Sequence, residues 1–192
     1  MRIKDEQKLE AIIQATLELT RERGLAGVKM NALAKRAGIA TGSLYTYFKD
    51  KQDLLLSVYH YVRERGAVYL RDSLDLNQDL ADRIRTTVGH YADYVGRHRE
   101  AIGFIDDLKR SPFITPEALA EVTEQYRFLQ QLFIEGQAAG LIREDDPERL
   151  LLVIDGIIKA VIDFQFLRQR PYDREVRQAC RELAWAAVKK PG

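Results

Sequence analysis

Residues 41–51 read Thr-Gly-Ser-Leu-Tyr-Thr-Tyr-Phe-Lys-Asp-Lys. The segment holds hydroxyls, a missing side chain, aromatic rings and cations within three turns of chain. Those residue types meet sugar, phosphate and base edges in a DNA groove. On a helix, Leu44 and Phe48 stand four apart and share the inward face. Gly42 and Thr46 point nearly opposite. Gly42 lets backbone approach a groove wall, and Thr46 offers a hydroxyl and a methyl to base edges. Thr41 and Ser43 lie at the helix start, where free N–H groups and the dipole favour a phosphate. Tyr45 and Tyr47 flank the inward stripe, with hydroxyls in reach of the backbone of a duplex. Lys51, opening the next helix, is expected to give a backbone N–H and an ammonium to phosphate.

The elements that must hold this segment are short helices. A first helix is expected from Asp5 to Arg23, with Leu9, Ile12, Ile13, Thr16 and Leu19 at helical spacing and Gly24 at its end. A second runs from about Met30 to Ala37, with Leu33 and Ala34 inward. A third runs from about Thr41 to Phe48. Only Gly38, Ile39 and Ala40 separate the last two, which is helix-turn-helix spacing. A long helix follows from Lys51 to about Leu74.

The stretch from Gly24 to Leu55 resembles the TetR/AcrR family of bacterial transcriptional repressors. The pattern is carried by Leu33-Ala34, Ala37-Gly38-Ile39, Gly42-Ser43-Leu44-Tyr45-Thr46-Tyr47-Phe48, Lys51 and Leu54-Leu55. With the first helix, the resemblance covers about residues 6–66. It implies DNA contacts from Lys29 and Met30 as well as from Thr41, Gly42, Ser43, Tyr45, Thr46, Tyr47 and Lys51; Lys35 and Arg36 add charge nearby. Three positions depart from the pattern. Lys29 and Ala40 replace a capping Thr and a capping Ser, each loss worth about 0.5–2 kcal/mol. Thr20 replaces an aromatic in the first helix.

Charge supports the same division. The chain of 192 residues has net charge +1, yet residues 1–66 hold 12 basic and 8 acidic residues, a net of +4. A basic head on an acidic body suits a polyanionic partner. One cysteine, Cys180, excludes an internal disulfide and suggests a reducing compartment. No apolar run is long and uncharged enough to span a bilayer, and the N-terminus lacks a signal-peptide core, so a cytoplasmic protein without membrane contact is expected.

Strand patterns, fixed-period repeats and low-complexity tracts are absent from the sequence. The fold expected is all-α with about nine helices: a helix-turn-helix head over 6–66 (the motif itself at about 29–48) and a helical body over 67–192. In the body, helices are expected over Leu80–Arg97, Glu100–Arg110, Pro116 to about Ala139, Pro147 to about Arg170 and Tyr172–Lys190. Thr115-Pro116 and Asp146-Pro147 are start signals.

The resemblance implies a body that binds a small-molecule effector and dimerises through its last two helices. The sequence supports the second point independently. Leu150–Phe166 is apolar on nearly every side, and a helix apolar all round must be buried all round. Leu150, Ile154, Ile157, Ile158, Val161, Leu183 and Val188 are therefore expected at a dimer seam. Asp155, Lys159 and Asp163 form one i, i+4, i+8 line, read as a salt-bridged stripe. His90, Tyr91, Tyr94, Phe104, Tyr126, Phe133 and Phe164 are the candidates for an aromatic effector pocket.

No phosphate-binding glycine loop, nucleophile elbow, dinucleotide fingerprint or paired Glu-x-x-His is present, so neither an enzyme nor a metal or cofactor is expected. The reading is a homodimeric repressor of a palindromic operator in duplex DNA, released by a small molecule. Control by a partner protein, or action as an activator, is the alternative. A helical-bundle enzyme is the remotest reading.

Overall fold

The computed structural model describes residues 2–191, with side chains from residue 6 onward. Ten helices account for most of it, 76% of the chain: α1 (Arg2–Gly27), α2 (Met30–Arg36), α3 (Thr41–Leu44), α4 (Lys51–Asp72), α5 (Leu80–Arg97), α6 (Arg99–Lys109), α7 (Pro116–Gln125), α8 (Arg127–Ala138), α9 (Pro147–Leu167) and α10 (Arg174–Val188). Among the described residues no strand forms beyond one isolated bridge between Ile142 and Lys189.

The helices gather into two compact units. The first takes residues 1–64 and 99–122, the second residues 65–98 and 123–192. The single cut expected near residue 66 thus falls inside α4, and α6 with most of α7 belongs with the N-terminal helices. The reason is α6, whose Ala101, Ile102, Phe104, Ile105 and Leu108 are buried. This helix packs against α1.

In the first unit, Gly24 breaks α1 with a φ of 63°, and Gly38 ends α2 with a φ of 68°. Both are left-handed conformations that a Cβ disfavours. Ile12, Leu19, Leu33, Leu44, Leu54 and Leu55 form the centre of its core. Thr20, one of the three positions that depart from the pattern, is buried. Its hydroxyl donates to the Thr16 carbonyl at 2.9 Å, and the Thr16 hydroxyl to Ile12 at 2.8 Å, so neither is left unsatisfied.

The second unit is a layer of α5, α8, α9 and α10 with the end of α4. The Asp146 carboxylate caps α9, accepting from the N–H groups of Glu148 and Arg149, with Pro147 at the first turn. Gly136 allows α8 its close approach: a Cβ there would stand 2.8 Å from Ile142 Cδ1 and 3.0 Å from Ile84 Cδ1. Buried Asp93 accepts the Tyr172 hydroxyl at 3.0 Å and pairs with Arg177 at 3.0 Å. Burial, then the Asp93 charge, push the Tyr172 phenol up. Cys180 is fully buried, and burial raises its thiol to about 11.

The expected helix from Pro116 to Ala139 is two helices, which accounts for the tenth. Tyr126 leaves the α conformation at φ −104°, ψ 8°. The break is supported from α4: Arg71 donates to the Gln125 carbonyl at 3.3 Å, and its guanidinium lies 5.2 Å from the Phe128 ring centre. Gly66 leaves room for Tyr126, since a Cβ on Gly66 would come within 2.7 Å of the Tyr126 hydroxyl.

Candidate nucleic-acid interface

The segment from Thr41 to Phe48 is tighter than the full α-helix expected. After four α-helical residues, the N–H groups of Thr46 and Tyr47 bond the carbonyls of Ser43 and Leu44 at 3.2 and 3.1 Å, a 3₁₀ pattern. The cause is local: the Thr46 hydroxyl donates to the Ser43 carbonyl at 2.6 Å, a side-chain bond that competes with the α pattern. Phe48 still bonds back four residues, from its N–H to the Leu44 carbonyl.

This geometry keeps Leu44 and Phe48 buried and leaves Gly42, Tyr45 and Thr46 exposed together. A Cβ on Gly42 would meet open space. Tyr45 is 53% exposed, large for an aromatic side chain. Thr41, Ser43 and Tyr47 are half-buried, and the Tyr47 ring tilts against Phe48 with centres 6.2 Å apart. The result is an apolar foot under a polar, aromatic and sterically open rim. Because the Thr46 proton is already donated, the side chain faces outward with acceptor capacity and a methyl rather than a free donor.

The flanking cations divide into two sets. Lys29 and Lys35 are exposed on either end of α2. No side chain caps α2 at Lys29 or α3 at Ala40, as the substitutions at these positions predict. Met30 is half-buried in the first turn of α2. Lys49 is exposed one residue past Phe48 and joins the candidates. Its signal in the sequence is a cation directly after the last inward aromatic.

Two other cations are committed to the protein. Arg36 forks onto Glu22 of α1 and also reaches Glu18 at 3.2 Å. The Lys51 ammonium donates to the Leu25 carbonyl at 2.6 Å. Burial lowers the Lys51 pKa from its ordinary value. The start of α4 is capped by its own carboxylates: Asp50 accepts from the Asp53 N–H and Asp53 from the Lys49 N–H, both at 2.9 Å. The Lys51 ammonium, expected to contact phosphate, thus donates in this structure to a carbonyl 26 residues away in sequence, which lies within reach of its stem.

The residues expected to line an effector pocket do not gather as one group. Tyr94 lies between Tyr69 and His98 with its ring tilted 39° to each and ring centres 5.3 and 4.5 Å apart, and His90 meets Tyr69 edge-on at 6.3 Å. Tyr126 lies beside Gly66, and Phe133 is buried in the second unit. Tyr91 donates to Asp155 of α9. Phe104 instead belongs to the core of the first unit, on α6. Phe164 is 49% exposed, on the outer side of α9. Among the described residues no group of three or more His, Cys, Asp or Glu is placed to hold a metal ion.

Those expected at a dimer seam also separate. Leu150, Ile154, Ile158 and Val188 are buried within their own chain, Ile157 and Val161 are half-buried, and Leu183 is exposed. One face of α9, Leu150-Ile154-Ile158-Ile162, fills the core of its own unit. Each such side chain is worth about 1.5–3 kcal/mol on burial. The opposite face, with Val153, Gly156, Ala160 and Phe164, is exposed. All-round apolarity thus resolves into one covered and one uncovered stripe. The Asp155 line on α9 holds its expected pair, with Lys159 2.9 Å from Asp155.

Comparison with known proteins agrees with the helix-turn-helix geometry. Residues 12–58 match the family model of bacterial regulatory proteins, tetR family. Over 169 residues the chain is 25% identical to the fatty acid metabolism regulator protein of Bacillus subtilis strain 168, covering 86% of this chain and 87% of that protein. It superposes on a TetR family transcription regulator from Marinobacter aquaeolei VT8 with a TM-score of 0.90, at 24% identity and with all of both chains covered. The fatty acid degradation regulator FadR from Bacillus halodurans superposes with a TM-score of 0.73 at 22% identity, over 93% of this chain and 94% of that one. No helix among the described residues is long and apolar enough to cross a membrane. The family model falls on the helices that present Gly42, Tyr45 and Thr46, and the fold of TetR-family regulators extends over the whole length: residues 12–58 form a tetR-family DNA-binding domain, and the rest of the chain is similar in fold to transcriptional regulators of that family.

Proposed function

We propose that the protein is a homodimeric repressor that reads a palindromic operator through the 41–48 turn and is released by a small-molecule effector. The observation that carries this reading is the joint exposure of Gly42, Tyr45 and Thr46 above the buried pair Leu44 and Phe48. A polar rim on a rigid apolar foot presents the same atoms to every base pair it meets, which base readout requires. Lys29, Lys35 and Lys49 supply the sequence-independent attraction to phosphate.

The dimer forms through the uncovered stripe of α9 together with Leu183 of α10. Val153, Phe164 and Leu183 are 41, 49 and 52% exposed, and Gly156 and Ala160 leave a shallow track for a partner helix. Two heads related by a two-fold axis match inverted half-sites about one helical turn, or a multiple, apart. The effector belongs to the fatty-acid class and the regulated genes to fatty-acid metabolism. The support is the near full-length similarity to the Bacillus subtilis regulator of that name. The effector must bind the DNA-free and DNA-bound forms unequally to act.

The test begins with selection of duplexes from a randomised library by the purified protein. The reading expects an inverted repeat, and release of that duplex by one of a panel of free fatty acids and their thioesters. Selection of no sequence would contradict operator reading. Tight binding of a panel member with unchanged operator affinity would contradict release.

A further inference from the structure

The loop between α6 and α7 reaches the start of α4 at two successive residues. The Phe113 ring centre lies 5.2 Å from the Lys51 ammonium, and the Phe113 carbonyl accepts from the Gln52 side-chain amide at 3.2 Å. The same ammonium donates to the Leu25 carbonyl at 2.6 Å, just past the Gly24 break in α1. Three segments far apart in sequence thus meet at one cation, all inside the first compact unit.

Their placement gives the contact its meaning. Leu25 lies at the end of α1, immediately before the helix-turn-helix. Lys51 lies immediately after the 41–48 turn. The ammonium therefore joins the two chain ends that bracket the DNA-reading segment. Phe113 covers it with a ring face, which stabilises a partly desolvated cation and shields its bond to Leu25 from water. From this loop, α7 runs on and leaves the first unit after Val122.

Resting on the DNA-binding reading above, we propose that Phe113 is a positioning residue for DNA recognition. Its ring and the Lys51 ammonium form a latch that sets the pose of the 41–48 turn. Phe113 itself touches no DNA. It acts through Lys51 and Leu25.

Phe113→Leu removes the ring face but keeps apolar bulk and the carbonyl that Gln52 uses. Phe113→Tyr restores a ring. Three readouts are compared in full-length protein: the chemical shifts of the Lys51 ε-protons, hydrogen exchange of the 41–48 amides without DNA, and affinity for the library-selected duplex. Exchange over 150–162 serves as the control for global folding. The latch predicts upfield-shifted Lys51 ε-protons in wild type that lose the shift in Phe113→Leu. Exchange over 41–48 rises, and duplex affinity falls, by about three- to thirtyfold, the range of a partly desolvated cation–π contact. Phe113→Tyr restores all three. Wild-type exchange and affinity in Phe113→Leu would overturn the proposal, as would Phe113→Tyr behaving like Phe113→Leu. A wild type that binds no duplex would overturn the DNA reading, while the exchange rates would still decide the latch.

Discussion

The Arg36 guanidinium of α2 grips the Glu22 carboxylate of α1 with two parallel bonds, Nη1 to Oε1 and Nη2 to Oε2, each 2.8 Å long. Such a fork is directional as well as electrostatic. The bond to Arg36 holds the Glu22 pKa below its ordinary value, chiefly by that hydrogen bond. Arg36 is thus a clamp between α1 and α2 rather than a phosphate ligand. Arg36→Met should lower the melting temperature of the protein and leave the salt dependence of DNA binding unchanged. A salt slope reduced by about one unit would instead place Arg36 on a phosphate.

The exposed cations should behave in the opposite way. Lys29→Ala and Lys49→Ala should each flatten the salt slope by roughly one unit, on operator and scrambled duplex alike, with little change in thermal stability. Lys51→Ala should do the reverse, lowering stability because the Leu25 carbonyl loses its donor. Affinity across a salt series, paired with thermal melts, separates the two sets. A stable Lys51→Ala protein with a flattened slope would return Lys51 to the phosphate backbone.

On α9, Ala160→Glu places a charge on the uncovered stripe, where one chain alone leaves it in water. It should give a folded monomer by sedimentation. Ile158→Glu buries an unpaired charge in the core of its own chain and should prevent folding. A monodisperse Ala160→Glu dimer would move the interface off this face.

Two histidines set a stability trend with pH. Burial lowers the His98 pKa from 6.5, helped by Arg65 and Arg97. Burial also lowers His90, helped by Arg177 and Arg97 and opposed by Asp93. Below about pH 6.5 the unfolded chain therefore binds protons that the folded chain resists. Stability from these groups is intact above that pH, falls on acidification and levels off below the folded values. Denaturant midpoints should drop between pH 7.5 and 5.5, and His90→Gln with His98→Gln should flatten that drop. An equal drop in the double variant would assign the trend to other groups.

How far the sequence could be read follows from the range of each interaction. Gly24, Gly38 and Gly140 all adopt positive φ, and Pro147 with Asp146 opens α9, because these signals act within a turn of chain. The inward pair Leu44 and Phe48 was legible from a spacing of four. The break at Tyr126 was not, since it depends on Arg71 and Gly66 in another helix. The partners of Lys51 were hidden for the same reason: Leu25 and Phe113 are near it only in space. On α9 every face reads apolar, so periodicity could not say which stripe meets its own core, and Phe164 falls on the other one.

The central claim is that the 41–48 turn reads bases, and Thr46 tests it most directly. Its hydroxyl proton is spent on the Ser43 carbonyl, so Thr46→Val should keep most of the preference for the selected operator through its methyl groups. Thr46→Asp should lower scrambled-duplex binding modestly by added negative charge, and should largely abolish operator preference. Affinities of the three proteins for operator and scrambled duplex, measured in parallel at one salt concentration, decide the matter. A preference ratio retained in Thr46→Val and collapsed in Thr46→Asp is the predicted result. Equal loss on both duplexes in Thr46→Asp, or no loss on either, would show that this turn does not read bases.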